Sequence, residues 1–330
     1  MKAIFYQQYG SPDVLKLKEV DKPIPKDNEV LIKVYASSIN SWDWDLLTGK
    51  PYLYRLLFGI LKPKLTILGA DIAGRVEAIG KNVKQLHPGD EVFGDISGCS
   101  WGGFAEYVCA SENVLTHKSV RMTFDEAAAI PQAGVLALQA LRYKGQLKQG
   151  QTVLINGAGG GVGTFALQIA KSFGAEVTCV DSSDKLDLLR SIGADYTIDY
   201  TQQDFTKSGK CYDLILDVVA HHSIFDYKRA LNPKGTYVMV GGSIRRIFQI
   251  AFLGPLISLT SKKMGILMHA PSTNDLKLIN EFFETGKVVP VIDRRYPISE
   301  VAEALRYFGQ GRVKGKIVIN TDVNRNANLK

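Results

Sequence analysis

Residues 152–163 read T-V-L-I-N-G-A-G-G-G-V-G, a short apolar run that ends in a cluster of glycines. The apolar run Thr152–Asn156 has the length of a buried strand, the glycines mark a tight turn, and Val162–Phe173 has the spacing of a helix. The G-x-G spacing occurs at Gly157/Gly159 and at Gly159/Gly161, and the register A-G-G-G-V-G over 158–163 fits the full G-x-G-x-x-G pattern best, with alanine in the place of its first glycine. Without side chains the turn lets a pyrophosphate approach the backbone, and the helix start offers N–H donors and the positive end of its dipole. Gly159, Gly160, Gly161, Val162 and Gly163 are therefore the expected contacts of a dinucleotide. A glycine turn that binds nothing is the bland alternative, and the strand before and helix after argue against it.

The rest of the chain supports that context. From Thr123 strands and helices alternate: strands at Glu176–Val180, Tyr212–Val218 and Gly235–Val240, with a helix at Lys185–Ile192 and another before Gly235. Continuous apolar strands separated by helices mean a parallel sheet covered on both faces. The first 120 residues read instead as β-rich, with half-buried strands at Glu29–Ser38, Leu68–Gly80 and Gly103–Ala110. Thr123 with Glu126 has capping-box spacing and opens a helix. Helices at Asn274–Thr285 and Ser299–Phe308 and a strand at Lys316–Asn320 follow, and Thr321–Lys330 is polar and expected to fray. At about 150 residues per domain, 330 residues suggest two domains.

The second strand of the parallel set ends at Val180-Asp181. An acid about 20 residues past the glycines bonds ribose hydroxyls and repels a 2′-phosphate, which favours NAD. Ser182, Ser183 and Lys185 follow, and these suit a 2′-phosphate. For Lys185 an exposed first-turn residue is the plain alternative. Both signals stand in the sequence.

At this point the chain resembles the medium-chain dehydrogenase/reductase superfamily. Within it, the chain is similar to the zinc-independent quinone oxidoreductase (zeta-crystallin-like) branch. The resemblance rests on Met1-Lys2-Ala3 with Tyr9-Gly10, on 38–43 (S-I-N-S-W-D), 68–74 (L-G-A-D-I-A-G) and 87–92 (H-P-G-D-E-V). It continues through the glycine turn, 192–195 (I-G-A-D) with Asp199-Tyr200, and 315–318 (G-K-I-V). It implies an α/β fold in which a Rossmann domain with a doubly wound parallel sheet, about 124–270, is inserted into a GroES-like β-rich catalytic domain. That catalytic domain would comprise 1–123 and 271–330, with the nicotinamide in the cleft between the two.

The resemblance also implies site residues. Ser182, Lys185 and Tyr200 would surround the adenosine ribose, Lys314 would approach the phosphates, and Val218, Val240 and Gly241 would line the nicotinamide. Relatives often carry Thr or Ser near Leu136 to bond the cofactor, and that hydroxyl is missing here. NADPH is favoured, with NADH as the second option. Zinc alcohol dehydrogenases of the superfamily use Cys, His and Cys at positions that match Asn40, Ala70 and Gln132, none a good zinc ligand. Histidines 87, 117, 221, 222 and 269 show no ligand spacing, so no zinc is expected. Hydride transfer without a metal suits quinones and α,β-unsaturated carbonyls, whose conjugation delocalises the incoming pair. Asn40 is the expected donor to the developing oxyanion, a turn-fixing asparagine being its alternative. Asp43 orients that loop or relays a proton, the helix cap being the favoured reading. Tyr52, with Tyr54, is a proton donor or a pocket wall.

Two acid-free segments, 52–64 and 243–268, combine apolar residues with Lys and Arg. They read as a lid over a lipid-like acceptor, as a peripheral membrane contact, or as core helix and homodimer seam, with Lys263–Met268 at the paired sheet edge. Forty Lys+Arg against 33 Asp+Glu leave a net charge of +7. These cations are scattered, and no aromatic-plus-basic platform stands out, so no specific nucleic acid is expected. Cysteines 99, 109, 179 and 211 form no C-x-x-C, and no signal peptide or spanning segment is visible, which reads as a reduced, cytoplasmic protein. A nucleotide-binding structural, sensing or RNA-binding protein with little turnover is the second function, and a zinc alcohol dehydrogenase the third.

Overall fold

The computed structural model describes residues 1–99 and 101–321; the expected frayed tail therefore lies, beyond Thr321, outside the described residues. The chain opens with a hairpin of β1 (Lys2–Phe5) and β2 (Lys16–Glu19). It continues through β3 (Glu29–Ser38), α1 (Ser41–Thr48), α2 (Leu53–Phe58), β4 (Asp71–Ile79), β5 (Glu91–Asp95), β6 (Tyr107–Ser111), β7 (Leu115–His117) and α3 (Phe124–Ala129). There follow α4 (Pro131–Gln139), β8 (Thr152–Asn156), α5 (Gly161–Ser172), β9 (Glu176–Asp181), α6 (Leu186–Ser191), β10 (Tyr196–Asp199), β11 (Tyr212–Asp217), α7 (Ile224–Arg229), β12 (Leu231–Met239), α8 (Ile244–Ile257) and β13 (Lys263–Ile266). The chain closes with α9 (Thr273–Glu284), β14 (Ile292–Pro297), α10 (Val301–Gly309) and β15 (Lys316–Asn320).

Two compact units result. One comprises 1–132, 271–284 and 290–330, the other 133–270 and 285–289. The first unit continues past Thr123 because α3 packs on β3, β4 and β15. Its capping box is formed: the Glu126 N–H donates to Thr123 Oγ1 at 3.2 Å, and the Thr123 N–H donates to the Glu126 carboxylate at 2.8 Å.

The first unit is built on a seven-stranded sheet in the order β14-β15-β3-β4-β5-β7, with β6 pairing β3. The register sets Ser38 opposite both Val318 and Asp71, and Asp71 opposite Asp95. The chain therefore brings the end of β3 and the starts of β4 and β15 to one place. The β4 strand is shorter than the expected Leu68–Gly80. Gly69 turns the chain with φ +95°, and a Cβ there would lie 2.6 Å from the Phe104 nitrogen, a conformation and a contact that only glycine tolerates.

The second unit holds a six-stranded, all-parallel sheet in the order β10-β9-β8-β11-β12-β13. Chain order reverses between β8 and β11, and ligands of open α/β sheets bind outside the carboxyl ends of the strands at such a switch point. Val153, Leu154 and Ile155 of β8 are fully buried, as the unbroken apolar run requires. Leu154, Ile215, Tyr237 and Tyr227 share one core cluster with Ile224 and Ile250.

Candidate nucleotide site and buried polar centre

At the carboxyl end of β8 the glycine turn is held by its own backbone. The N–H groups of Gly157 and Ala158 both donate to the Val180 carbonyl, and the Gly160 N–H donates to the Gly157 carbonyl. Gly160 is the N-cap of α5 and provides no side-chain cap. The first-turn donors of Gly161, Val162 and Gly163 are thus left for an anion. The individual glycines answer to different constraints. A Cβ at Gly163 would lie 2.4 Å from the Gly157 carbonyl oxygen, so that glycine lets helix and turn close. Gly160 has φ −86°, and a Cβ there would meet nothing nearer than 3.7 Å. The protein's own packing does not require glycine at 160, and the space a side chain would take there is open. The turn therefore fits a dinucleotide pyrophosphate.

The acid after β9 is turned inward. Asp181 Oδ2 accepts the Gly159 N–H at 2.7 Å, and Oδ1 accepts the Ser182 N–H at 2.9 Å and pairs with Lys185 Nζ at 3.4 Å. Lys185 is buried rather than an exposed helix residue, and a Cβ at Gly159 would lie 2.5 Å from its Cδ. The Tyr200 N–H donates to the Asp181 carbonyl, and its ring is exposed. Gly159, Asp181, Ser182, Lys185 and Tyr200 therefore share one corner of this unit.

A buried carboxylate organises the other side of the same strand ends. Asp217, at the end of β11, accepts Asn156 Nδ2 at 2.8 Å and the Tyr237 hydroxyl at 2.8 Å. Its backbone carbonyl accepts the Val240 N–H at 2.8 Å, and the Val218 N–H donates to the Asn156 carbonyl. A Cβ at Gly241 would lie 2.4 Å from the Val218 carbonyl oxygen. Val218, Val240 and Gly241 are thereby drawn to the end of β8. Burial raises the Asp217 pKa and those of the Tyr227 and Tyr237 hydroxyls. The Tyr227 hydroxyl accepts the N–H groups of His221 and His222.

The first unit holds a second polar centre. Asn40 Nδ2 donates to Asp71 Oδ2 at 2.9 Å, and Lys316 Nζ donates to Asn40 Oδ1 at 2.5 Å and to the Ile39 carbonyl at 3.1 Å. Lys316 Nζ lies 3.4 Å from Asp71 Oδ2, and the Gln132 N–H donates to Asp71 Oδ1 at 3.0 Å. The ammonium donor fixes the amide orientation of Asn40, whose oxygen must face Lys316. One Nδ2–H is then committed to Asp71 and one remains. Burial raises the Asp71 pKa against the pull of Lys316, and lowers that of Lys316. Asp43 is fully buried, with one oxygen on the Asn40 N–H at 2.8 Å and the other on the Gly69 N–H at 2.9 Å. It closes the capping box of α1, and burial pushes its carboxyl up to about 7.

The remaining expected residues lie apart from these contacts. Tyr52 precedes α2 and is 67% exposed, with the Arg55 guanidinium 4.9 Å from its ring centre. The Lys314 N–H donates to Asp293 Oδ2 at 3.0 Å. Asn40, Ala70 and Gln132 do converge around Asp71, but among the described residues no group of three or more His, Cys, Asp or Glu is placed to hold a metal ion. Sequence reasoning passed over Lys316, Asp71 and Asp217 as site residues. Their one signal was a charge set inside an apolar strand or against alanines, in K-I-V-I-N, G-A-D-I-A and Y-D-L-I-L-D.

Known proteins resemble the chain over most of its length. Residues 26–120 match the family described as "Alcohol dehydrogenase GroES-like domain" and 192–319 the one described as "Zinc-binding dehydrogenase". The chain belongs to the quinone oxidoreductase branch of the medium-chain dehydrogenase/reductase superfamily. It is 35% identical to the 2-methylene-furan-3-one reductase of Solanum lycopersicum, over 97% of this chain and 79% of that protein. It is 33% identical to the chloroplastic NADPH-dependent alkenal/one oxidoreductase of Arabidopsis thaliana, with the same coverage of 97% and 79%. The solved quinone oxidoreductase of Coxiella burnetii superposes with a TM-score of 0.87 at 31% identity, covering 98% of this chain and 99% of that one.

Proposed function

We propose that this member of the branch is an NADPH-preferring reductase that passes hydride to quinones or α,β-unsaturated carbonyls without zinc. The observation that carries the reading is the glycine turn, where Gly160 is free of any demand from the protein and leaves room for a pyrophosphate. The bound nucleotide supplies the hydride; the chain's residues hold, orient and stabilise. The first-turn N–H groups of α5 take the pyrophosphate. Preference for NADPH follows from Asp181, whose oxygens are already taken by Gly159, Ser182 and Lys185. A carboxylate so occupied does not serve the ribose hydroxyls, and the Lys185 ammonium offsets its charge, so that a 2′-phosphate beside Ser182 and Tyr200 meets a paired acid with a cation rather than a bare carboxylate. Asp217 holds Val218, Val240 and Gly241 in register as the wall for the nicotinamide.

The remaining Nδ2–H of Asn40 donates to the acceptor oxygen as negative charge develops there. Lys316 on Oδ1 polarises the amide and strengthens that donor, and Asp43 fixes the loop that carries it. The donors around Asp71 do not suit zinc, because an amide, an ammonium and a backbone N–H already occupy the carboxylate. No step is routed through a metal. The test is a panel of quinones, enones and simple alcohols assayed with each nucleotide, following nicotinamide absorbance. The reading expects NADPH to be consumed with quinones or enones at a higher kcat/KM than NADH. Turnover of alcohols alone would contradict it.

A further inference from the structure

Helix α8 is apolar on two opposite faces. Ile250, Gly254 and Ile257 are buried, with Ile247 and Leu253 packed beside them on the core. Phe248, Phe252, Leu256 and, just past the helix, Leu259 are 51%, 71%, 61% and 85% exposed. A spacing of four residues sets the first three in one row, and the rings of Phe248 and Phe252 stack with centroids 6.2 Å apart. A helix that is apolar all round has a partner on each face; the sheet of the second unit accounts for one.

Charge indicates the other. The sequence has no Asp or Glu between Asp226 and Asp275. Arg245 and Arg246 open α8, and Lys262 and Lys263 follow its end; Arg245 and Lys263 are exposed. Arg246 and Lys262 donate to neutral oxygens, those of His221 and Gln249 and that of Lys228, so their charge is not cancelled there. A second copy laid on this row would set cation against cation in either direction, which association disfavours. An anionic surface matches it. With 14 residues, α8 is about 21 Å long, short of a bilayer's apolar thickness, and among the described residues no helix is long and apolar enough to cross a membrane.

We propose that α8 lies on the surface of an anionic lipid bilayer. Phe248, Phe252, Leu256 and Leu259 enter the acyl boundary, and Arg245 and Lys263 sit among the headgroups. The test is co-sedimentation of the whole protein with phosphatidylcholine vesicles, pure or containing phosphatidylglycerol. Binding is expected with the anionic vesicles and not the neutral ones, and it falls as salt rises. The variant Phe252→Glu/Leu256→Glu alters only exposed side chains, so its melting temperature should stay that of the parent, while its vesicle partition drops at least about tenfold, or 1.4 kcal/mol. Arg245→Gln/Lys263→Gln should lower partition and flatten its salt dependence. Three results would overturn the proposal: parent protein that ignores anionic vesicles, glutamate variants that bind undiminished, or glutamates that dissociate a dimer in a protein without vesicle affinity.

Discussion

Replacing Lys316 with Met tests the buried polar centre most sharply. Lys316 is 3% exposed and Asp71 fully buried, and among the described residues the ammonium is the one cation in contact with that carboxylate. Removing one partner of a buried pair costs about 3–5 kcal/mol, because the other charge is left uncompensated. At about 2–4 °C per kcal/mol, Lys316→Met should lower the melting temperature of the first unit by roughly 6–20 °C. The loss should depend on pH in a definite direction. Without the ammonium, Asp71 has a folded-state pKa raised further above its unfolded value, so the fold favours the protonated form. The penalty is then complete above the folded pKa and shrinks as pH falls towards the unfolded value, so the gap between parent and variant should be smaller at about pH 5 than at about pH 8. Asp71→Asn/Lys316→Met should recover much of the loss, giving a large coupling in a double-mutant cycle. The assay is thermal denaturation by circular dichroism of nucleotide-free protein. A Lys316→Met variant within about 1 kcal/mol of the parent at both pH values would refute the reasoning.

Further expectations follow from the same contacts. Gly160→Val should fold like the parent yet lose nucleotide binding by calorimetry, whereas Gly163→Val should melt lower because its Cβ meets the Gly157 carbonyl; identical behaviour of the two would contradict their assignments. Lys185→Ala should cut kcat/KM with NADPH about tenfold or more relative to NADH, as loss of a charged hydrogen bond costs about 1.5–3 kcal/mol; an unchanged ratio of the two nucleotides would refute it. Burial pushes the Asp45 carboxyl up to about 7. Its ionisation therefore costs stability above the unfolded pKa, and Asp45→Asn should raise the melting temperature at about pH 8, with a gain that fades as pH falls below about 7; a gain independent of pH would contradict this.

Local chemistry was legible where it was also decisive. The strands Glu29–Ser38, Thr152–Asn156 and Lys316–Asn320 form between the residues their patterns indicate, since each is an unbroken β-rich run with a turn signal beside it. Boundaries shift where backbone geometry intervenes. Residues 183–185 form a 3-10 turn before α6 rather than the first turn of a helix, and β12 starts at Leu231 through Pro233 and a positive φ at Lys234, features that read as a loop. The glycine turn was legible because its chemistry is contiguous. The polar centre was not: Asp71 and Lys316 stand 245 residues apart, and a lysine that opens a strand reads as solvent-exposed until the fold brings it beside Asn40 and Asp71. Asp181 carried two opposite signals in the sequence, and only its hydrogen bonds to Gly159 and Ser182 show which way the carboxylate turns.

The central claim is direct hydride delivery to a conjugated acceptor, and isotope transfer tests it. Purified protein turns over an enone with NADPH carrying two deuteriums at the nicotinamide C4, so that either face delivers label, and the product is read by mass spectrometry. The account predicts one deuterium on the product carbon β to the carbonyl, with transfer lost in Gly160→Val and slowed in Asn40→Ala. A product that carries no deuterium, or undiminished transfer by Gly160→Val, would contradict it.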